Sequence, residues 1–123
     1  MIGVAMLLAV VLAVAVALAA SAITKHQDGF LAIPAGQTRT LTVPFPDALE
    51  YGNARYSGRA IVVGPWPNVK RRTPDLKKVK IISAGSVEGG SAYQARARND
   101  NRPGTAPVRL EVIATTVEPL PHS

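Results

Sequence analysis

The chain has 123 residues, with 10 Gly, 10 Pro and a formal net charge of +6 at pH 7. The absence of cysteine excludes disulfides, thiolate metal ligands and a cysteine nucleophile. About one hundred residues follow the apolar N-terminal stretch, the size of one domain. Their excess of Lys and Arg favours acidic partners without defining a site.

Residues 1–24 contain no charged side chain, and a polar stretch follows at residues 25–28. As a helix they would span about 36 Å, enough to cross a hydrocarbon core of about 30 Å. We therefore predict a transmembrane helix over residues 1–24 and a polar junction over residues 25–28. The alternative is a cleaved signal peptide, because Ala20, Ser21 and Ala22 are the small residues that a signal peptidase requires. Against this alternative, no positive charge precedes the apolar run.

Small residues recur at every fourth position of this first stretch. In a helix they lie along one face and allow a second helix to approach closely. We predict that this face packs against transmembrane helices of other subunits, including identical copies. The face consists of Ala5, Ala9, Ala13, Ala17 and Ser21.

The next segment carries the first strand patterns. Residues 29–33 form a short apolar run, and residues 34–37 have the composition of a turn. Residues 38–43 alternate, with Leu41 and Val43 on one face and threonines on the other. This pattern predicts a strand that forms a hairpin with the run before it.

Four further strands are predicted over residues 54–63, 79–84, 92–98 and 108–117. The first ends in the continuous apolar run of residues 60–63, which predicts burial on both sides or a crossing between sheets. The last two alternate between small or apolar and polar residues, as strands with one wet face do. The fold class expected is mainly β: an antiparallel β-sandwich of immunoglobulin-like size over residues 29–118, without a disulfide, and a flexible tail over residues 119–123.

Motifs of catalysis and metal binding are absent from the sequence. His26 and His122 are the only histidines, the carboxylates are scattered, and no nucleophile-elbow or phosphate-loop motif occurs. Residues 99–101 resemble part of a calcium loop but lack its Gly and its terminal Glu, so we interpret them as a turn. We expect no catalytic residue, no metal and no cofactor. An enzyme whose pocket is assembled only by folding is the alternative.

A basic stretch and a lone tryptophan are the candidate binding residues. Six of the eleven residues from 70 to 80 are basic, which favours anionic lipid head groups or an acidic protein surface. Nucleic acid is disfavoured, because no aromatic residues are interleaved to stack on bases. A solvated loop is the alternative. Trp66, between two prolines, is either an interface anchor or a cap on the core. The basic residues are Lys70, Arg71, Arg72, Lys77, Lys78 and Lys80.

Two functions follow from these patterns. The first is a non-enzymatic, single-pass membrane protein, an accessory or structural subunit of a larger membrane assembly. The second is a secreted or periplasmic binding module that uses its basic loop on polyanions. The distribution of Lys and Arg nominally favours a cytoplasmic domain. The cleavage-like Ala-Ser-Ala sequence and the small β-sandwich favour the outer side, where we expect the domain to lie.

Overall fold

The computed structural model describes residues 22–48 and 53–119. Within these ranges the helical segments are two single 3₁₀ turns, Leu76–Lys78 and Glu88–Gly90, and neither has the length or apolar content that a membrane crossing needs. Six strands make up most of the rest. They are β1 (Ala22–Ile33), β2 (Thr38–Pro44), β3 (Arg55–Pro65), β4 (Val79–Val87), β5 (Ala92–Asn99) and β6 (Val108–Pro119).

The strands form two small antiparallel sheets, in the orders β1-β6-β3 and β2-β5-β4. We call these sheet A and sheet B. Buried side chains from both sheets share one hydrophobic core, so the prediction of a mainly β, sandwich-like domain is confirmed. Consecutive strands change sheet at every connection except the β4–β5 hairpin, which turns at the second 3₁₀ turn.

The two central strands show the alternation that the sequence predicts. Along β6 every second residue from Val108 is buried, through Leu110, Val112 and Ala114, and the residues between them are partly exposed. Along β5 the small residues Ala95 and Ala97 are fully buried. Burial on one face fixes the register of a strand, because a shift of one residue would expose its whole apolar face.

The β domain starts earlier than predicted. β1 begins at Ala22 and pairs with β6 from there, so residues 22–24 are not the end of a helix and residues 25–28 are not a junction. The polar side chains of this part are tolerated because the strand lies at the edge of sheet A, where the Lys25 Nζ donates to the Asp47 carbonyl at 3.0 Å. At the other terminus, β6 includes Pro119. The rest of the predicted tail, residues 120–123, lies outside the described residues, as do residues 1–21.

The predicted hairpin of β1 and β2 is wrong. β1 pairs with β6 in sheet A, whereas β2 pairs with β5 in sheet B. The turn between them passes from sheet A to sheet B at one end of the sandwich, and both Ile33 and Val43 are buried in the shared core. Gly36 adopts a φ of 80° in this turn, a conformation that glycine takes without steric cost.

Of the two interpretations of residues 60–63, burial on both sides is wrong. β3 is an edge strand of sheet A, and its register shifts at a bulge between Val62 and Gly64, where Val63 is 40% exposed. β4, the edge strand of sheet B, has a matching irregularity between Ile81 and Ser83. Such bulges interrupt edges that would otherwise pair with another sheet.

A candidate anion-binding end of the sandwich

The sandwich has two ends, and β1 runs from one to the other, from Ala22 to Ile33. At about 3.3 Å per residue, the twelve residues of β1 separate Ala22 from Ile33 by about 36 Å. The turn at residues 34–37 and the loops at residues 66–78 and 100–107 lie at the Ile33 end. The described parts of the β2–β3 connection, residues 45–48 and 53–54, lie at the Ala22 end, together with the β4–β5 hairpin and the end of β6.

A buried amide network holds the loops of the Ile33 end together. The Asn99 side chain donates from Nδ2 to the Ile33 carbonyl at 2.9 Å, and its Oδ1 accepts from the Asn101 backbone at 3.0 Å and from the Asn101 side chain at 2.8 Å. Asn101 in turn exchanges hydrogen bonds with the backbone of Asp75 at 2.8 and 3.0 Å. The residues that resembled part of a calcium loop are therefore structural, because both amides point into the protein.

Backbone hydrogen bonds fasten the long 66–78 loop to the 100–107 loop. The Ala106 amide donates to the Arg72 carbonyl at 2.8 Å, and the Asp100 amide donates to the Lys78 carbonyl at 2.9 Å. Trp66 is half-buried at the same end, and its backbone amide donates to the Pro107 carbonyl at 2.7 Å. These contacts give the basic loop a defined position on the sandwich.

Basic side chains dominate the surface of this end, which we call the basic end. Nine exposed Lys and Arg residues lie here; Arg109, opposite Ala32 in sheet A, is half-buried, with its guanidinium 5.0 Å from the centre of the Phe30 ring. The acids here are Asp75 and Asp100; Asp75 accepts from the Lys77 amide at 3.0 Å and Asp100 pairs with Arg98 at 3.0 Å. The nine are Arg39, Lys70, Arg71, Arg72, Lys77, Lys78, Lys80, Arg98 and Arg102.

A depression of about 230 Å³ lies between the loops of the basic end. Arg72 and Lys78 from the 66–78 loop and Arg102 from the 100–107 loop line it together with the hydroxyl-bearing Thr73 and Thr105. Asp75 and Asn101 complete the lining, with Asn101 held by the amide network. Guanidinium and ammonium groups around one hollow suit a phosphate, sulfate or carboxylate group.

No protein-family model, curated protein or solved structure matches this chain. We therefore infer a function from the geometry of the basic end. Of the predicted binding residues, Arg72 and Lys78 line the depression, whereas Lys80 lies on β4 opposite Arg98. The remaining predicted residues belong to the same loop but do not line the depression. They are Trp66, Lys70, Arg71 and Lys77.

Three members of the basic end were not predicted from the sequence: Arg39, Arg98 and Arg102. Each is flanked by strand or turn residues with no basic run around it, so no local signal distinguishes it. Strand pairing places Arg39 and Arg98 here, because Arg98 lies between Thr38 and Lys80 in sheet B. Arg102 lies in the 100–107 loop, which backbone hydrogen bonds join to the 66–78 loop. The predicted helix-packing residues, Ala5, Ala9, Ala13, Ala17 and Ser21, lie outside the described residues.

The opposite end of the sandwich has no basic excess. Its described charged residues are Lys25 and Arg55 against three acids. The domain is therefore electrically asymmetric along its strands, with its positive charge concentrated at the Ile33 end. The three acids are Asp47, Glu88 and Glu118.

A larger depression, of about 530 Å³, lies on the outer face of sheet A. His26, Asp28 and Ser57 are among its lining residues, and His26 Nδ1 lies 2.9 Å from the Thr115 hydroxyl. His26 is exposed, and no hydrogen bond joins it to Asp28 or Ser57 within the described part of the chain. Residues 22–48 and 53–119 also hold no group of three His, Asp or Glu residues placed to bind a metal ion. Among the described residues, the side chains of this face therefore form no hydrogen-bonded group comparable with the basic cluster at the other site.

Proposed function

We propose that this protein is a non-enzymatic binding module whose basic end binds acidic polymers. The observation that carries the proposal is the meeting of Arg72, Lys78 and Arg102 around one depression, within a surface of nine basic side chains and two acids. The depression receives one anionic group, and the surrounding side chains contact its neighbours along the polymer.

The rigidity of the basic end supports this proposal. The Asn99 and Asn101 side chains fix the loops before a ligand arrives, so less conformational entropy is lost on binding. Arginine also presents a planar set of donors that matches phosphate and carboxylate oxygens in pairs. Each neutralised anionic group releases bound counterions, so the affinity falls as salt rises.

The triple variant Arg72→Gln, Lys78→Gln, Arg102→Gln tests the depression directly. We expect its affinity for long-chain polyphosphate to fall by about 10- to 100-fold. A charge-assisted hydrogen bond contributes roughly 1.5 to 3 kcal/mol, and each contact contributes less than this on an exposed surface, where water screens the charges. The salt dependence should also weaken, by roughly one unit of log–log slope for each lost contact. Fluorescence anisotropy at several salt concentrations measures both effects.

A matched control removes the same charge elsewhere. The variant Lys25→Gln, Arg55→Gln, Arg59→Gln also loses three positive charges, from the Ala22 end and the outer face of sheet A. We expect its affinity to remain within about twofold of the parent, because exposed charges more than a Debye length apart are largely screened. Equal losses in both variants would show that net charge alone attracts the polymer.

A second candidate function rests on the uncharged residues 1–24. We propose that residues 1–21 remain in the mature protein as a transmembrane helix, with the β domain on the extracytoplasmic side as an accessory subunit of a membrane assembly. Its small-residue face, centred on Ala9 and Ala13, would pack against partner helices.

Intact mass spectrometry of native protein from the membrane fraction distinguishes retention from cleavage. Retention predicts the full 12.9 kDa, whereas cleavage after Ala22 removes about 2 kDa. For the retained form, Ala9→Leu with Ala13→Leu should reduce co-purification of membrane partners, because larger side chains keep helices apart. Unchanged co-purification would count against a packing face.

A further inference from the structure

The edge strand β4 is exposed on both of its faces. Ala84 lies opposite the fully buried Ala95 of β5, and therefore on the core-facing side of sheet B, yet it is exposed. Ile81, opposite the buried Ala97, is likewise 39% exposed, and Ile82 at the bulge is 45% exposed. Sheet A therefore leaves this edge of the sandwich open.

The free edge of β4 also lacks the residues that usually prevent strand pairing. Residues 81–87 contain no charged residue and no proline, whereas the longest such runs in the other edge strands have five residues, at 29–33 in β1 and 60–64 in β3. Charges and prolines protect an edge strand from pairing with another chain. The bulge lies at the start of the run, and residues 83–87 pair regularly with β5. These five residues present an unbroken edge.

We propose that two copies of this chain pair through β4, as antiparallel strands related by a twofold axis at Gly85. This pairing joins sheet B of both copies into one sheet of six strands. The axis at Gly85 places Ser83 opposite Val87 of the second copy, so the whole regular run takes part. The inference does not depend on polymer binding by the basic end.

The charges that flank the run favour a second copy as the partner. Lys80 precedes the run and Glu88 follows it, and both are exposed. Because the bulge sets two residues opposite one, Lys80 falls one position from Glu88 of the second copy. The twofold axis forms this pair twice. Opposite charges that face each other on neighbouring strands stabilise their pairing.

Antiparallel pairing also keeps the two basic ends apart. β4 runs from the basic end at Val79 to the opposite end of the sandwich at Val87. In the second copy this direction is reversed, so the two basic ends lie at opposite ends of the dimer. Their like charges therefore do not face each other across the interface.

A cysteine at position 85 tests the pairing, because the chain has no cysteine of its own. A Cβ added to Gly85 enters open space, so Gly85→Cys should fold normally. Facing residues of antiparallel strands have Cα atoms about 4.5 to 5.5 Å apart, a distance that a disulfide spans. We expect the full-length variant, at micromolar concentration in mild detergent, to form a disulfide-linked dimer on mild oxidation.

Thr40→Cys is the matched control. Thr40 is exposed on β2, the other edge strand of the same sheet. Gly85→Cys should give about tenfold more disulfide-linked dimer than this control, because only its sulfur atoms meet at a twofold axis. Equal yields would overturn the proposal, because association through residues 1–24 or any other segment would cross-link both variants alike.

Charge reversals in the Gly85→Cys background test the register. Lys80→Glu lowers the net charge and Glu88→Lys raises it, yet each places like charges beside each other across the interface. We expect several-fold less dimer from either variant and recovery in the double variant. Opposite effects of the two single reversals, or no recovery in the double variant, would overturn the proposal, because net charge or another surface would then control association.

Hydrogen exchange of the unmodified full chain in mild detergent gives an independent measurement. Within residues 83–87, the amides that point away from β5 are unpaired in a single copy and paired in the dimer. Their exchange should slow several-fold as the protein concentration rises, whereas residues 38–44 of β2 should keep their rates. Protection that does not depend on concentration would mean that another segment of the same chain covers the edge. Fast exchange at every concentration would mean that the edge stays free, and either result overturns the proposal.

Discussion

Replacement of Asn99 by alanine is expected to lower the free energy of unfolding by about 3 kcal/mol. Asn99 is fully buried, and its side chain provides partners for the Ile33 carbonyl and for the Asn101 backbone amide. Each buried polar group left without a partner costs roughly 1 to 3 kcal/mol. The backbone bonds of Asn99 with Gly36 and Gln37 remain possible in the variant, so the effect isolates the side chain.

Urea unfolding of the full chain in mild detergent, followed by the fluorescence of Trp66, measures this change. Trp66 is the only tryptophan and lies at the same end of the sandwich. Gln27→Ala is the matched control, because it removes an exposed amide that has no hydrogen bond to another described residue; we expect a change within about 0.5 kcal/mol. A similarly small effect of Asn99→Ala would show that the amide network does not hold the loops.

The combination of Asn99→Ala with Asn101→Ala tests the network as a unit. The two side chains share the hydrogen bond at 2.8 Å, so their effects should not add, with a coupling energy of about 1 kcal/mol or more. Asn99→Ala should also weaken polyphosphate binding, because the loops bearing Arg72 and Arg102 lose their fixed positions. The free energy of unfolding and the affinity for polyphosphate would then both fall, although the buried Asn99 cannot contact the polymer itself.

Replacement of Gly58 by alanine is expected to destabilise the fold by roughly 2 to 3 kcal/mol, because overfilling a packed core costs about 1 to 3 kcal/mol and sometimes more. Gly58 lies on the inward face of β3, opposite Ala114, and an added Cβ would overlap the ring of Tyr93 in sheet B. Tyr93 cannot move freely, because its ring meets Phe45 edge-on at 6.5 Å between centroids. The close approach of the two sheets therefore requires glycine at this position.

Gly85 provides the matched control for this substitution. It lies in β4, and a Cβ added to it would enter open space with no atom of a packed neighbour within 4 Å, so Gly85→Ala should be neutral or slightly stabilising. Thermal or urea unfolding of both variants makes the comparison. In a Tyr93→Leu background the cost of Gly58→Ala should shrink, because the ring that it overlaps is gone. An equal cost in both backgrounds would contradict the steric explanation.

The alternation of buried and exposed residues along single strands could be predicted from the sequence. The small or apolar residues of β5 and β6 recur with a period of two, and the structure buries them as that period requires. The pairing between strands could not be predicted, because a turn composition such as that of residues 34–37 is equally compatible with a hairpin and with a connection between two sheets. The predicted β1–β2 hairpin failed for this reason.

The sequence by itself determined the mainly β class, the turns and a concentration of charge at residues 70–80. Only the tertiary structure decided that Arg39, Arg98 and Arg102 join that charge, and that it lies at the end remote from Ala22. The physical reason is that periodicity and turn propensity act over a few neighbouring residues. The position of a surface depends instead on which strands pair within each sheet and on how the two sheets pack over the core, and these contacts join residues far apart in the chain.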